Sequence, residues 1–205
     1  MYIISHRAND NHSFKENTIE AIKGVLNKDY IDGVEIDIRL TKDNKIVLYH
    51  SPIIYNLGLI SNNNLKEIKK YANELNDVLK KIKTNKLILI DIKCEICKED
   101  IFIEKLHKII KKYKKLNIYL CSFNYKLVKK IKEKYKYKTG LIISNMINKN
   151  KNIESFDFIL MNYRIYHKIN KALMLWTINK KEIIDKYKNE EIYIITDKPY
   201  LVQKE

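Results

Sequence analysis

Short apolar runs recur along this chain, separated by longer, Lys-rich amphipathic stretches. The runs at residues 2–5, 34–40, 46–50, 87–93, 118–122, 141–143, 158–161, 173–177 and 192–196 have strand length and are rich in Ile, Leu and Val. Between them, residues 18–27, 64–72, 75–83, 101–113, 126–134 and 181–188 predict helices. In the fourth of these, Ile101, Leu106, Ile109, Ile110 and Tyr113 recur at helical spacing. Strand-then-helix alternation over the whole length predicts parallel βα units. The expected fold class is therefore α/β, a small (β/α)8 TIM barrel with short loops, in one domain covering residues 1–205. Nine runs exceed the eight strands of such a barrel by one. The run at 46–50 follows its predecessor through a Lys-Asp-Asn-Lys turn with no helix, and one of the weaker runs is a second candidate for removal.

Composition changes this picture little. A chain of 205 residues suits one well-buried domain, and four glycines and two prolines leave no linker to divide it. The formal net charge of +15 raises the question of nucleic acid. The lysines are spread over many segments, and no aromatic-interleaved basic motif accompanies them. They read as solvated helix faces, with no nucleic-acid partner expected, on a surface that attracts anionic substrates. Residues 126–138 are basic and partly amphipathic, so peripheral membrane contact is a minor expectation. No apolar run approaches the roughly 18 residues of a membrane span, and residues 1–7 do not open a secretory signal. Three cysteines make no disulfide framework, and the C-x-x-C at Cys94 and Cys97 lacks the further ligands of a zinc site. Ordinary reduced thiols in a cytoplasmic protein are expected. Oligomeric state has no signature in the sequence.

Barrel geometry brings scattered polar residues together. Alternate side chains of a strand face inward, and active groups gather at the strands' carboxyl ends. Glu35 and Asp37 share one face of their run, while Val34 and Ile36 face outward. His50 ends the next run. Asp91 and Lys93 continue the face begun by Leu87 and Leu89, and His6 with Arg7 closes the first run. Singly, each reads as a capped, paired or solvated side chain. Together they would bury three carboxylates and two cations at one end of a barrel, which is costly unless a metal or an anion compensates them. Metal-assisted attack at phosphorus needs such a set. Hard oxygen ligands suit Mg²⁺ or Ca²⁺. Arg7 and Lys93 suit phosphoryl oxygens. Two histidines suit proton transfer near neutral pH, in an order these residues leave open. His12 is a further candidate substrate contact, a solvated loop histidine being the plainer reading.

The stretch "ISHRAND…ENTIEAIKGVLNKDYIDGVEIDIRLTKDNKIVLYH" resembles the glycerophosphodiester phosphodiesterase family, whose pattern runs through His-Arg, Glu-Asn-Thr, Glu-x-Asp-x-x-x-Thr-x-Asp and a second His. "LILIDIK" is similar to its Glu-x-Lys strand, with Asp for Glu. "CSFN", "LWTIN" and "IITDKP" match its later motifs, so the resemblance spans the whole chain. It implies a βα barrel and one divalent cation held by Glu35, Asp37 and Asp91, with Glu16 a ligand or close to one. It also implies His6 and His50 as the acid–base pair, Arg7 and Lys93 as phosphate contacts, and Trp176 as a wall of the pocket. The implied activity is hydrolysis of a small glycerophosphodiester, or a similar phosphodiester, to a phosphomonoester and an alcohol. Ala8 stands where the family has Gly, Ser51 where it has Asp, and "SPIIYNLGLISNNNLKEI" replaces its loop after the second His. Barrel phospholipases of the sphingomyelinase D type also use Asp at the position of Asp91. Two alternatives follow from these departures: a catalytically degenerate barrel that binds phosphoesters or anionic surfaces without turnover, and a lysophospholipase D-like enzyme giving a cyclic phosphate.

Overall fold

The computed structural model describes residues 1–11, 14–94, 98–145, 153–167, 169 and 171–202. All nine apolar runs contain strands, with ends shifted by at most two residues. In chain order these are β1 (Tyr2–Ser5), β2 (Gly33–Leu40), β3 (Ile46–Leu48), β6 (Leu87–Ile92), β7 (Asn117–Ser122), β8 (Thr139–Ile143), β9 (Phe158–Asn162), β10 (Ala172–Trp176) and β11 (Tyr193–Thr196). Two short strands lie between them, β4 (Ile53–Ile54) and β5 (Gly58–Leu59), which pair with each other. Eight strands run parallel and close into a barrel in the order β1, β2, β6, β7, β8, β9, β10, β11, with β11 returning to β1. The ninth run, β3, turns back antiparallel on β2. That is the geometry expected of a strand reached through a short turn with no crossover helix.

Among the described residues six helices pack outside: α1 (Ile19–Leu26), α2 (Leu65–Ile68), α3 (Leu75–Lys81), α4 (Glu99–Ile110), α5 (Tyr125–Tyr135) and α6 (Lys181–Asp185). The helix expected over 64–72 is the single turn of α2, started by a reciprocal Asn64–Glu67 capping box. Between β9 and β10 the described connection is only a 3-10 turn, Tyr163–Ile165.

The pleat divides the core. Ile4, Leu87, Leu89, Phe158, Leu160 and Ile195 fill the barrel interior. Val34, Ile36, Ile38, Ile88 and Ile90 face the helices in a second cluster with Ile22, Val25 and Phe102. Gly140 makes the interior fit, since a Cβ there would lie 2.1 Å from the Phe158 ring. With both faces of the strands covered, their carboxyl ends form the open rim. No helix of the described residues is long and apolar enough to cross a membrane. Cys94 is disulfide-bonded, which departs from the expectation of reduced thiols; Cys97 lies outside the described residues.

Candidate active site

β2 is buried along its whole length, yet one of its faces carries Glu35, Asp37 and Arg39. Strand register sets Asp37 directly opposite Asp91 and Glu35 opposite Leu89. Glu35, Asp37 and Asp91 are 3%, 1% and 5% exposed, and an oxygen from each lies within 4.8 Å of the others. Lys93 Nζ sits 2.5 Å from Asp91 Oδ2 and 3.1 Å from Asp37 Oδ1.

The loop after β1 closes the cluster from the other side. Arg7 and Ala8 both adopt left-handed backbone, at φ 52° and 57°. This sharp turn aims the Arg7 backbone N–H at Glu35 Oε2, where it donates at 2.9 Å. The Arg7 Nε lies 3.6 Å from Asp37 Oδ2. Further along, Asn17 also has positive φ and is buried. Its Nδ2 donates to Asp37 Oδ2 at 3.0 Å, while its Oδ1 accepts the Asp37 N–H at 3.0 Å. Glu16, expected near the metal, does not join the carboxylate cluster. The turn buries Asn17 instead, leaving Glu16 solvated with its carboxylate 3.5 Å from Arg7 Nη1. His12 lies outside the described residues.

These contacts set the charge states. Burial, with the neighbouring charge of Asp37, pushes Glu35 up to about 8. Burial opposes ionisation of Asp37 too, but Lys93 and the Asn17 hydrogen bond outweigh it and hold Asp37 below its ordinary range. Burial likewise works against charged Lys93, and Asp91 and Asp37 hold it protonated. The donor set fits a divalent cation: three buried carboxylates in contact range, one of them forced to keep its proton until more positive charge arrives.

The two histidines are positioned differently. His6 Nδ1 donates to Asp197 Oδ1 at 2.6 Å, which leaves Nε2, 3.9 Å from Glu35 Oε2, as the ring nitrogen on the side of the cluster. Asn179 fixes Asp197, donating from Nδ2 to Oδ2 at 2.6 Å and accepting the Asp197 N–H and the Thr196 hydroxyl on Oδ1. Burial would lower the pKa of His6, yet the Asp197 hydrogen bond and the Glu35 charge raise it. His50 is held through its backbone. Buried Arg39 donates from Nε and Nη2 to the His50 carbonyl at 2.9 and 2.5 Å. Burial lowers the pKa of His50, and Arg7 and Lys93 add to that against the pull of Asp37.

His6, Arg7, Glu35, His50, Asp91, Lys93 and Trp176 thus line one cavity of about 160 Å³. Asp37 packs beneath it, against Lys93. Sequence reasoning passed over Asn17, Arg39, Phe123, Asn179 and Asp197. All five sit inside motifs quoted above, and Arg39 was also visible as a third charge on the polar face of β2. Ser51, which replaces the family's Asp, accepts the Ile53 N–H on its Oγ at 3.1 Å and starts the altered loop.

This fold with this site defines a barrel hydrolase of phosphoric diesters. Residues 6–201 match the profile of the Glycerophosphoryl diester phosphodiesterase family, and the chain belongs to that family. It is 31% identical over 151 residues to a glycerophosphodiester phosphodiesterase of Caldanaerobacter subterraneus, covering 64% of this chain and 61% of that protein. The crystal structure of a glycerophosphodiester phosphodiesterase from Thermotoga maritima superposes with a TM-score of 0.80 at 25% identity, covering 98% of this chain and 96% of that one. An Oleispira antarctica phosphodiesterase, solved with its product sn-glycerol-3-phosphate, is similar in fold, with a TM-score of 0.85 at 19% identity over 97% of this chain and 94% of that one.

Proposed function

We propose that this chain hydrolyses a glycerophosphodiester, or a closely similar phosphodiester, to a phosphomonoester and an alcohol, using one divalent cation. The observation that carries the reading is the buried Glu35–Asp37–Asp91 cluster beside His6 and His50 in one cavity. The product complex of the Oleispira relative supports the substrate class.

Glu35, Asp37 and Asp91 would hold the cation, Mg²⁺ or Ca²⁺. When bound, it would supply Lewis-acid stabilisation of the negative charge that develops on the phosphoryl oxygens. Lys93 and Arg7 bind those oxygens as fixed cations, and their partial burial makes each contact stronger than it would be in water. The His6 and His50 imidazoles move the protons, one taking a proton from the attacking water and the other protonating the departing alcohol. Asp197 keeps the His6 proton on Nδ1, so that Nε2 does the exchanging. Trp176 forms a wall of the pocket opposite the charged residues.

A panel of glycerophosphodiesters assayed with Mg²⁺, Ca²⁺ and Mn²⁺ tests this reading. Turnover of at least one substrate is expected, abolished by Glu35→Ala and by His6→Ala, with metal binding kept in His6→Ala. Binding of phosphodiesters without turnover of any would replace the enzyme by a phosphoester-binding barrel. A cyclic phosphate product would put a substrate hydroxyl in place of water.

A further inference from the structure

We infer that the face built by α4, α5 and the connections that follow them docks the protein on an anionic lipid surface. The lysines are spread along the chain, but the carboxylates are not. Residues 105–138 contain 13 lysines, no arginine and a single carboxylate, Glu133. That segment holds a net +12 of the chain's +15, while the other 171 residues carry 27 basic and 24 acidic side chains and nearly balance. Helix C-termini favour cations, and surface lysines keep a chain in solution. Neither reason would clear carboxylates from about one sixth of the chain.

The fold gathers this charge on one side. α4 and α5 are neighbours, tied by the Lys130–Asp100 ion pair and by His107. The His107 ring stacks on Tyr135 with centroids 3.8 Å apart and shares a hydrogen bond with the Tyr137 hydroxyl at 2.9 Å. Burial lowers the pKa of His107, and Lys111 from one helix end and Lys134 from the other lower it further, so their charges meet on one face. Both helices run from the carboxyl ends of the strands back to the amino ends, so residues 111–116 and 136–138 lie at the end of the barrel opposite the cavity. Eleven of the 13 lysines are exposed. Four pair with a carboxylate, and the other nine have none in contact among the described residues.

Charge alone would hold the partner. α4 and α5 expose no large apolar side chain, and Phe123, which falls within the segment, stands at the cavity end. The attraction is therefore that of a polybasic surface for anionic headgroups, without insertion into hydrocarbon. Two features favour lipid over nucleic acid. The lysines cover two adjacent helices and the connections after them, an area broad in both directions, as a plane of headgroups is and a nucleic-acid backbone is not. The rings among them are engaged with each other, His107 lying on Tyr135 and Lys134 Nζ 5.2 Å from the Tyr135 centroid, which leaves no platform for a base. The choice of lipid also rests on the proposed function. Deacylation of a glycerophospholipid at a bilayer releases a glycerophosphodiester into the water, and a barrel held at its far end keeps its cavity open to that product.

Flotation of the full chain with large unilamellar vesicles tests this face, using phosphatidylcholine alone and phosphatidylcholine with about 30% phosphatidylglycerol. Binding to the anionic vesicles and not to the neutral ones is expected at about 50 mM salt, weakened at least about tenfold at about 300 mM. Lys111→Glu, Lys112→Glu, Lys114→Glu and Lys115→Glu together should weaken it by at least about tenfold. The set Lys23→Glu, Lys66→Glu, Lys69→Glu and Lys186→Glu makes the same change in net charge at exposed positions off the face, and should weaken it by less than about threefold. If the first set does not fold, Lys111→Gln, Lys112→Gln, Lys114→Gln and Lys115→Gln carry the test, with a loss of at least about fivefold expected. Equal losses on and off the face would mean that net charge alone drives binding and would overturn the inference, as would binding to neither vesicle or to both alike. A duplex of about 20 base pairs, added at a phosphate concentration equal to that of the anionic lipid, should leave most of the protein on the vesicles. Displacement of the protein by the duplex would make nucleic acid the occupant and overturn the choice of lipid. Turnover of glycerophosphocholine is read separately: its absence would remove the proposed function, while vesicle binding still decides the docking face.

Discussion

Asp37 stands directly opposite Asp91 across the parallel β2–β6 pair, and Lys93 Nζ bridges their carboxylates. Two like charges face each other in a buried sheet because a cation lies between them. With Glu35 two residues below on the same strand, the cluster has one carboxyl more than Lys93 and its neighbours balance, and Glu35 answers by keeping its proton up to about 8.

Cation affinity should therefore depend on pH. Binding needs ionised Glu35, and protons compete for it below its raised pKa. Affinity for Mg²⁺ or Ca²⁺ is expected to rise steadily from pH 6 to pH 8, with proton uptake by the buffer on binding. Calorimetry in buffers of different ionisation enthalpy measures both. A flat affinity over this range would contradict the assignment of Glu35 as a ligand.

Asn17 holds Asp37 by two hydrogen bonds, one to the carboxylate and one from its backbone N–H. Asn17→Ala should raise the pKa of Asp37 and weaken cation binding by about tenfold, in line with the roughly 1.5–3 kcal/mol attributed to a hydrogen bond with a charged partner. Glu16→Ala, at the exposed neighbouring position, should change cation affinity by less than about threefold. The reverse ranking would restore Glu16 as a ligand.

Asp197 raises the pKa of His6, so Asp197→Asn should lower it. Whichever limb of the pH profile of kcat/KM belongs to His6 is expected to move to lower pH, while the other limb stays. The sign is the same whether His6 serves as acid or base, since a lowered pKa shifts its titration in one direction only. Movement to higher pH, or none, would separate Asp197 from the chemistry.

Ala8 carries a side chain at φ 57°, where Cβ meets the backbone. Ala8→Gly is expected to raise unfolding free energy by about 0.5–1 kcal/mol, the relief of left-handed strain less the greater freedom of glycine in the unfolded chain. Urea denaturation reads the shift in midpoint. Destabilisation would mean that the Ala8 methyl, buried in the core beside α1, contributes more than the strain costs.

The barrel was legible because its strands are buried on both faces, so each appears as an apolar run, and polar residues break that run only where the site lies. Glu35 with Asp37, and Asp91 with Lys93, could be paired from spacing alone, since a strand fixes which of its side chains share a face, and only the expected barrel joined the two pairs. The β4–β5 hairpin was not legible, because two-residue strands carry no period. That Asn17, rather than Glu16, reaches Asp37 was hidden for another reason. Which of two adjacent loop residues turns inward depends on a positive φ at Asn17, and nothing in residue spacing records a backbone angle. Asp197 and Arg39 were readable as residues but not as partners, because each acts on a histidine from a separate segment of chain.

Phosphorus NMR of glycerophosphocholine incubated with the protein tests the central claim most directly. With Mg²⁺ or Ca²⁺ present, the diester resonance should give way to a phosphomonoester resonance, and excess EDTA or Glu35→Ala should stop the conversion. An unchanged diester spectrum at every cation tried, or the same conversion in EDTA, would contradict a cation-dependent phosphodiesterase built on Glu35, Asp37 and Asp91.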